Sequence, residues 1–254
     1  MSGRDVRDAT TLAEPPSTHV PAAMPSIAGL RVGIPREYVV AELHPTVRAA
    51  WDAAACALAD AGATIVPVSL PRTRAALPCY YVLAAAEAAS NLSRYDAVRY
   101  GARPAAASDC PSVAAMVSTA RARAFGSEVR RRIAAGTLVL SRGAYDAYCA
   151  HAHRVRALVA ADFAAVFARH ADILLVPTAA SPPPTLAAAQ GMDPVAAFAT
   201  DVMTVPASLA GLPAISLPVP GQPERVGVQL IGARGADALV LDTAQALAVA
   251  LLRR

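Results

Sequence analysis

Leu30-Arg-Val-Gly-Ile34 is a run of alternating apolar residues closed by Pro35, and Ala63-Thr-Ile-Val-Pro-Val-Ser-Leu70 is a second, β-branched run. Between them, residues 45–61 place Val47, Ala50, Trp51, Ala54 and Leu58 on one helical face and end at Gly62. Period two, period 3.6 and period two again spell strand, helix, strand. Such a unit pairs its strands in parallel under a covering helix. An α/β fold is therefore expected.

Working outward, helices are predicted over 75–92, 112–134 and 144–169, followed by a buried strand at 172–177. The rigid Pro-rich stretch Ser181-Pro-Pro-Pro-Thr185 cannot be helical. Strands at 214–219 and 226–231 and a closing helix at 236–252 complete the chain. Residues 1–28 read as an extended lead-in and 29–254 as one domain. Apolar residues make up 55% of the 254, but aromatics only 5%, so alanine-rich helix faces must supply much of the packing. No apolar run approaches the roughly 18–20 residues that span a bilayer, so a soluble protein is expected, and residues 1–26 contain no secretory or transit signal.

Composition also removes several chemistries. All 23 basic residues other than histidine are arginine, so lysine-dependent mechanisms are closed to these residues. Cys56, Cys79, Cys110 and Cys149 show no paired spacing and read as reduced, buried thiols. His151 and His153 stand two apart on a helix and face different ways, a poor ligand pair. The net charge of +4 reads as a by-product of arginine-rich coding, and Arg130, Arg131 and Arg132 as a solvated helix face.

Three features are candidates for function. Gly211-Leu-Pro213 precedes a strand where a glycine supplies a positive φ or a close approach. Asp201 stands among Phe198, Val202 and Met203, so its carboxylate must cap a helix, meet solvent or hold a cation. Tyr80 and Tyr81 open a helix on which Glu87, Asn91 and Arg94 share a face and could form a polar network.

As strings, these segments resemble the amidase-signature family, in the order of that family's second half. The matching segments are Ser2-Gly-Arg-Asp5, Asp8-Ala-Thr-Thr11, Leu30-Arg-Val-Gly-Ile-Pro-Arg-Glu-Tyr38, Tyr80-Tyr-Val-Leu83, Ser90-Asn-Leu-Ser-Arg94, Arg99-Tyr-Gly101, Val176-Pro-Thr178, Ala210-Gly-Leu-Pro213 and Val226-Gly-Val-Gln-Leu-Ile-Gly232. Within the family they are most similar to the A subunit of glutamyl-tRNA(Gln) amidotransferase. The resemblance implies a mixed, mostly parallel sheet covered by helices, here the C-terminal half of the domain.

It also implies a Ser-Ser-Lys catalytic segment in the first half, of which these residues contain nothing, so no catalytic residue is assigned and a fragment is expected. Carried over residue by residue, Asp201 would hold the α-amino group of glutamine and Tyr80 would line the pocket. Arg132, with Arg131 as the alternative, would receive the α-carboxylate. The implied partners are B and C subunits, glutamine and, through the complex, glutamyl-tRNA(Gln). ATP and Mg belong to a partner subunit. The implied location is a mitochondrial or plastid matrix, or the cytoplasm of a bacterium. Another amide hydrolase of the family, or an inactive interaction module, is the alternative.

Overall fold

The computed structural model describes residues 3–12, 25–103, 111–193, 199–222 and 224–253. Two compact units emerge, Met1–Leu77 with Arg156–Arg254, and Pro78–Val155.

The first unit is built on a five-stranded sheet. Its strands are β1 (Arg31–Pro35), β2 (Thr64–Val68), β3 (Ile173–Pro177), β4 (Ala214–Pro218) and β5 (Gly227–Gly232), in the order β2-β1-β3-β5-β4. β1 pairs in parallel with both β2 and β3, while β5 runs antiparallel to β3 and β4. Four strands therefore share a direction and β5 alone is reversed, the mixed, mostly parallel arrangement expected. Burial follows position in the sheet. The central β3 is buried throughout, whereas the edge strands β2 and β4 are largely half-buried or exposed. Pro67 sits on the edge strand β2, where a missing N–H costs least.

Helix α1 (Pro45–Asp60) starts with proline in its first turn, and the His44 side chain accepts from the Thr46 amide. It buries Val47, Ala50, Trp51, Ala54, Ala57 and Leu58, the predicted face with Ala57 added. Trp51 fixes the helix on the sheet by donating its indole N–H to the Leu175 carbonyl at 3.0 Å. Trp51→Phe keeps most of the apolar contact but strands that buried carbonyl. It is expected to cost about 2 kcal/mol by urea unfolding; a loss under about 0.5 kcal/mol would show that the bond is dispensable. Cys56 lies off this face and is exposed, contrary to expectation, whereas Cys79 and Cys149 are buried and Cys110 lies outside the described residues.

Two ionic clamps join distant segments of this unit. Glu37 accepts from the Leu70 amide at 2.8 Å and the Ser69 hydroxyl at 2.5 Å, tying the end of β1 to the residues after β2. Arg31, at the start of β1, donates from Nη2 to Asp172 Oδ1 at 2.7 Å and from Nε to Oδ2 at 3.2 Å. Its amide also donates to Oδ2, at 2.9 Å. The Arg31 side chain, outweighing partial burial, holds the Asp172 carboxyl below its usual range. A depressed acid stabilises the fold above its unfolded pKa of about 4, and that stability is lost as pH falls through the folded value. Asp172→Asn should therefore lower Tm by about 2–4 °C at pH 7. The difference from wild type should shrink toward pH 2; a gap that persists there would contradict an ionic origin.

In the same unit, α5 (His151–Arg169) contributes the buried Val159, Phe163 and Val166. Short helices α6 (Leu186–Gln190) and α7 (Val205–Ala210) precede β4. The closing helix α8 (Asp237–Leu252) packs against α1, β4 and β5.

The second unit comprises most of α2 (Ala76–Leu92), then α3 (Val113–Ala124), α4 (Ser127–Val139), a π turn at Asp146–Ala150 and the start of α5. A single helix was expected over 112–134. The chain instead turns extended at Phe125, with φ −96° and ψ 124°, and restarts after Gly126. α2 ends at Leu92, so Arg94 leaves the face it was predicted to share with Glu87 and Asn91. Asn91 does donate to Glu87, at 3.1 Å, while Arg94 stacks on Tyr100.

Candidate functional site

In the first unit a cleft of about 660 Å³ opens beside the C-terminal end of β3. Residues far apart in sequence line it: Thr178, Ser181, Thr200, Ser216, Arg225 and Met192, with Pro182–Pro184 as one wall. The predicted proline stretch is thus a rigid side of a cavity. Thr178 and Ser216 share a hydrogen bond of 2.7 Å between their hydroxyls, and the Thr178 amide donates to the Gly227 carbonyl at 3.1 Å. A mostly apolar hollow with a few hydroxyls and one guanidinium suits a small polar molecule.

Asp201 immediately follows Thr200 in a 3-10 turn, Thr200–Met203, and is exposed. Neither helix cap falls on it, because the N-cap positions are Ala199 before the turn and Thr204 before α7. Phe198, one of its sequence neighbours, lies outside the described residues. The turn is anchored from behind. Met203 is buried, and its carbonyl accepts from the Gln229 side chain of β5 at 3.4 Å. α7 then closes at Gly211 with a left-handed cap, and its φ of 69° realises the first of the two readings of this glycine, a positive φ rather than a close approach; Arg156 donates to the Leu209 carbonyl at 2.9 Å. The buried Met203 and its bond to Gln229 anchor the backbone of the turn that carries Asp201.

Tyr80 and Arg132 both belong to the second unit. Tyr80 and Tyr81 pack edge to face at 5.1 Å on the first turns of α2. Arg132 lies on α4, half-buried, and donates from Nε to Glu128 Oε1 at 3.1 Å. The Glu128 hydrogen bond, above all, raises the Arg132 pKa; partial burial opposes it, and charge interactions with Glu128, Tyr80 and Tyr81 add to the rise. Arg131 is exposed and ion-pairs with the other Glu128 oxygen. Of the two candidate arginines, Arg132 is the more buried, and its charge interacts with Tyr80 and Tyr81. Glu128 went unnoticed in the sequence, although its spacing of three and four residues from this pair is the usual signature of helical ion pairs.

Gly136 explains how the helices bring these groups together. A β carbon there would overlap the Ala85 carbonyl oxygen and stand 2.7 Å from the Ala89 side chain. α4 thus touches α2 backbone to backbone at Gly136 and Ala85. Arg132 and Tyr81 each lie one turn N-terminal to that contact.

The fold is a mixed sheet under helices with a cleft at a strand end, and the amidase family profile matches residues 1–241. This chain belongs to the amidase family. It is 47% identical to the A subunit of the mitochondrial glutamyl-tRNA(Gln) amidotransferase of Podospora anserina, over 87% of this chain and 50% of that protein. It is also 47% identical to the A subunit of the Sphingopyxis alaskensis glutamyl-tRNA(Gln) amidotransferase, over 91% of this chain and 47% of that protein. The crystal structure of the A subunit of the Thermotoga maritima glutamyl-tRNA(Gln) amidotransferase superposes with a TM-score of 0.73 at 31% identity, covering 97% of this chain and 48% of that one. The chain spans about half the length of the relatives it matches. Among the described residues no helix is long and apolar enough to cross a membrane.

Proposed function

We propose that this chain is part of an A-subunit-like component of a glutamyl-tRNA(Gln) amidotransferase, contributing glutamine recognition to a reaction that releases ammonia from the glutamine amide. The observation that carries this reading is the 47% identity to A subunits across nine-tenths of the chain. The second unit adds support, since Arg132 and Tyr80 both lie on it and Arg132 is half-buried there. In this reading Arg132 pairs with the α-carboxylate and Tyr80 packs beside it, while Asp201 takes the α-ammonium group. Each group then meets a charge opposite to its own.

These 254 residues hold no lysine, so a Ser-Ser-Lys relay must draw its lysine from residues outside them. B and C subunits are the proposed partners, glutamyl-tRNA(Gln) is reached through the complex, and ATP with Mg serves a partner subunit. The mitochondrial and bacterial relatives support a mitochondrial matrix or a bacterial cytoplasm as the location.

The test is to purify the complete polypeptide containing these residues with its co-expressed B- and C-type subunits and to follow ammonia release from amide-labelled glutamine. Release coupled to amidation of glutamyl-tRNA(Gln) is expected. Hydrolysis of unrelated amides in preference to glutamine would refute the reading.

A further inference from the structure

The net charge is unevenly placed. Pro78–Val155 carries ten arginines and five acidic residues, a formal charge of +5, which leaves the rest of the chain at −1. A coding bias toward arginine gives no reason for such a separation. Within this unit, residues 93–103 hold Arg94, Arg99 and Arg103 with Tyr95 and Tyr100 between them, and Asp96 is their one acid.

That acid is turned to a structural task. Asp96 Oδ1 accepts the amides of Val98 at 2.9 Å and Arg99 at 2.8 Å, and Oδ2 accepts Arg99 Nε at 3.3 Å. The Ala97 amide donates to the Tyr100 carbonyl at 3.0 Å, and Arg121 reaches from α3 to the carbonyls of Leu92 and Tyr95 at 2.7 and 3.3 Å. Ala97 is held at φ 62°, the left-handed region, where a residue with a β carbon is strained by roughly 1–2 kcal/mol. A loop tied at this many points, and strained at its centre, presents its outer side chains in one arrangement. Tyr100 is 49% exposed with the Arg94 guanidinium 4.8 Å over its ring, and Tyr95, packed edge to face on Phe125 at 6.1 Å, is 41% exposed.

Cations interleaved with exposed aromatic faces match the two parts of an unpaired polynucleotide, phosphates and base planes. We propose that residues 93–103 form an RNA-binding surface, with Arg94, Arg99 and Arg103 contacting phosphates and an unpaired base extending the Arg94–Tyr100 stack. RNA is favoured over other polyanions by the tRNA-dependent reading above, and the proposal rests on that reading to this extent.

Direct binding tests it without reference to glutamine hydrolysis. Anisotropy of a fluorescein-labelled, in vitro transcribed tRNA(Gln) would be measured against the whole chain at 50 and 200 mM salt. The affinity should fall at least about tenfold between these concentrations. Replacing Arg94, Arg99 and Arg103 together by alanine should weaken binding about tenfold or more and flatten the salt dependence. The control pair Arg130→Ala with Arg142→Ala should change it less than threefold. Tyr100→Ala should weaken binding about fivefold, and Tyr100→Phe should restore it.

Asp96→Ala separates a shaped surface from bare charge. It removes a negative charge, so simple attraction would tighten binding, whereas loss of the loop's ties should weaken it. The proposal is overturned by an absence of binding at 50 mM salt, by a triple variant that binds like wild type, or by polyglutamate displacing the RNA charge for charge. Failure of RNA binding alongside intact glutamine hydrolysis would reject this surface and leave the enzymatic reading standing.

Discussion

Replacing Gly136 with valine is expected to destabilise the chain by about 3 kcal/mol, at the upper end of what overpacking a close contact costs. The first added carbon does most of the damage, because it would overlap the Ala85 carbonyl oxygen and fall 2.6 Å from its carbon. Those are backbone atoms, and no side-chain rotation relieves the overlap. α4 would have to lift away from α2, opening the small core where Ala86, Val139 and Cys149 meet Val82 and Leu83. Gly136→Ala should therefore retain most of the loss, although alanine is ordinarily the better helix former by roughly 1 kcal/mol. Urea unfolding checks both variants. An alanine variant as stable as wild type would mean that the two helices are not in contact as described.

The same contact links packing to recognition. Arg132 and Tyr81 each sit one turn from the Gly136–Ala85 crossing, so separating the helices should also separate the guanidinium from the tyrosines. Thermal stability and glutamine affinity should consequently fall together at Gly136, whereas substitutions that touch only the ligand should leave stability unchanged.

How far the sequence reveals this structure depends on the kind of signal each element carries. α1 was legible because it has one buried side, and a buried side writes its period into the sequence, as the face through Val47, Trp51, Ala54 and Leu58 shows; β1 and β2 were legible as short apolar runs, the second β-branched, although their burial does not alternate. The break at Phe125 was missed although Gly126, a poor helix former, and Ser127 follow it directly. The flanking alanine- and arginine-rich stretches read as one helix, and the contacts at the break, with Arg121 reaching back to the carbonyls of Leu92 and Tyr95 and stacking at 4.9 Å on Phe125, are tertiary.

The site follows the same division. Asp201 stood out as a carboxylate among apolar neighbours, but its role, like the nomination of Arg132, came only through family resemblance, because an exposed carboxylate in a 3-10 turn and one arginine in a run of three look ordinary by themselves. Arg132 and Arg131 differ in burial, half-buried against exposed, which their shared run of arginines does not reveal. The cleft was equally hidden, since Thr178, Thr200, Ser216 and Arg225 are joined only by the folding of β3, β4 and β5. The uneven charge was invisible in the total of +4, because the partition follows the boundary between the units.

The most direct test of the account is the KM for glutamine of the complete polypeptide carrying Asp201→Ala, measured beside Arg132→Ala and Arg131→Ala. A charge-assisted hydrogen bond to a ligand is worth roughly 1.5–3 kcal/mol, so the first two substitutions should each raise KM by about 10- to 100-fold. Arg131→Ala should shift it less than about threefold, and thermal stability should stay within a few degrees of wild type in all three. An unchanged KM in the Asp201 and Arg132 variants would contradict the glutamine site. A large rise confined to those two would place the substrate's ammonium and carboxylate where the account puts them.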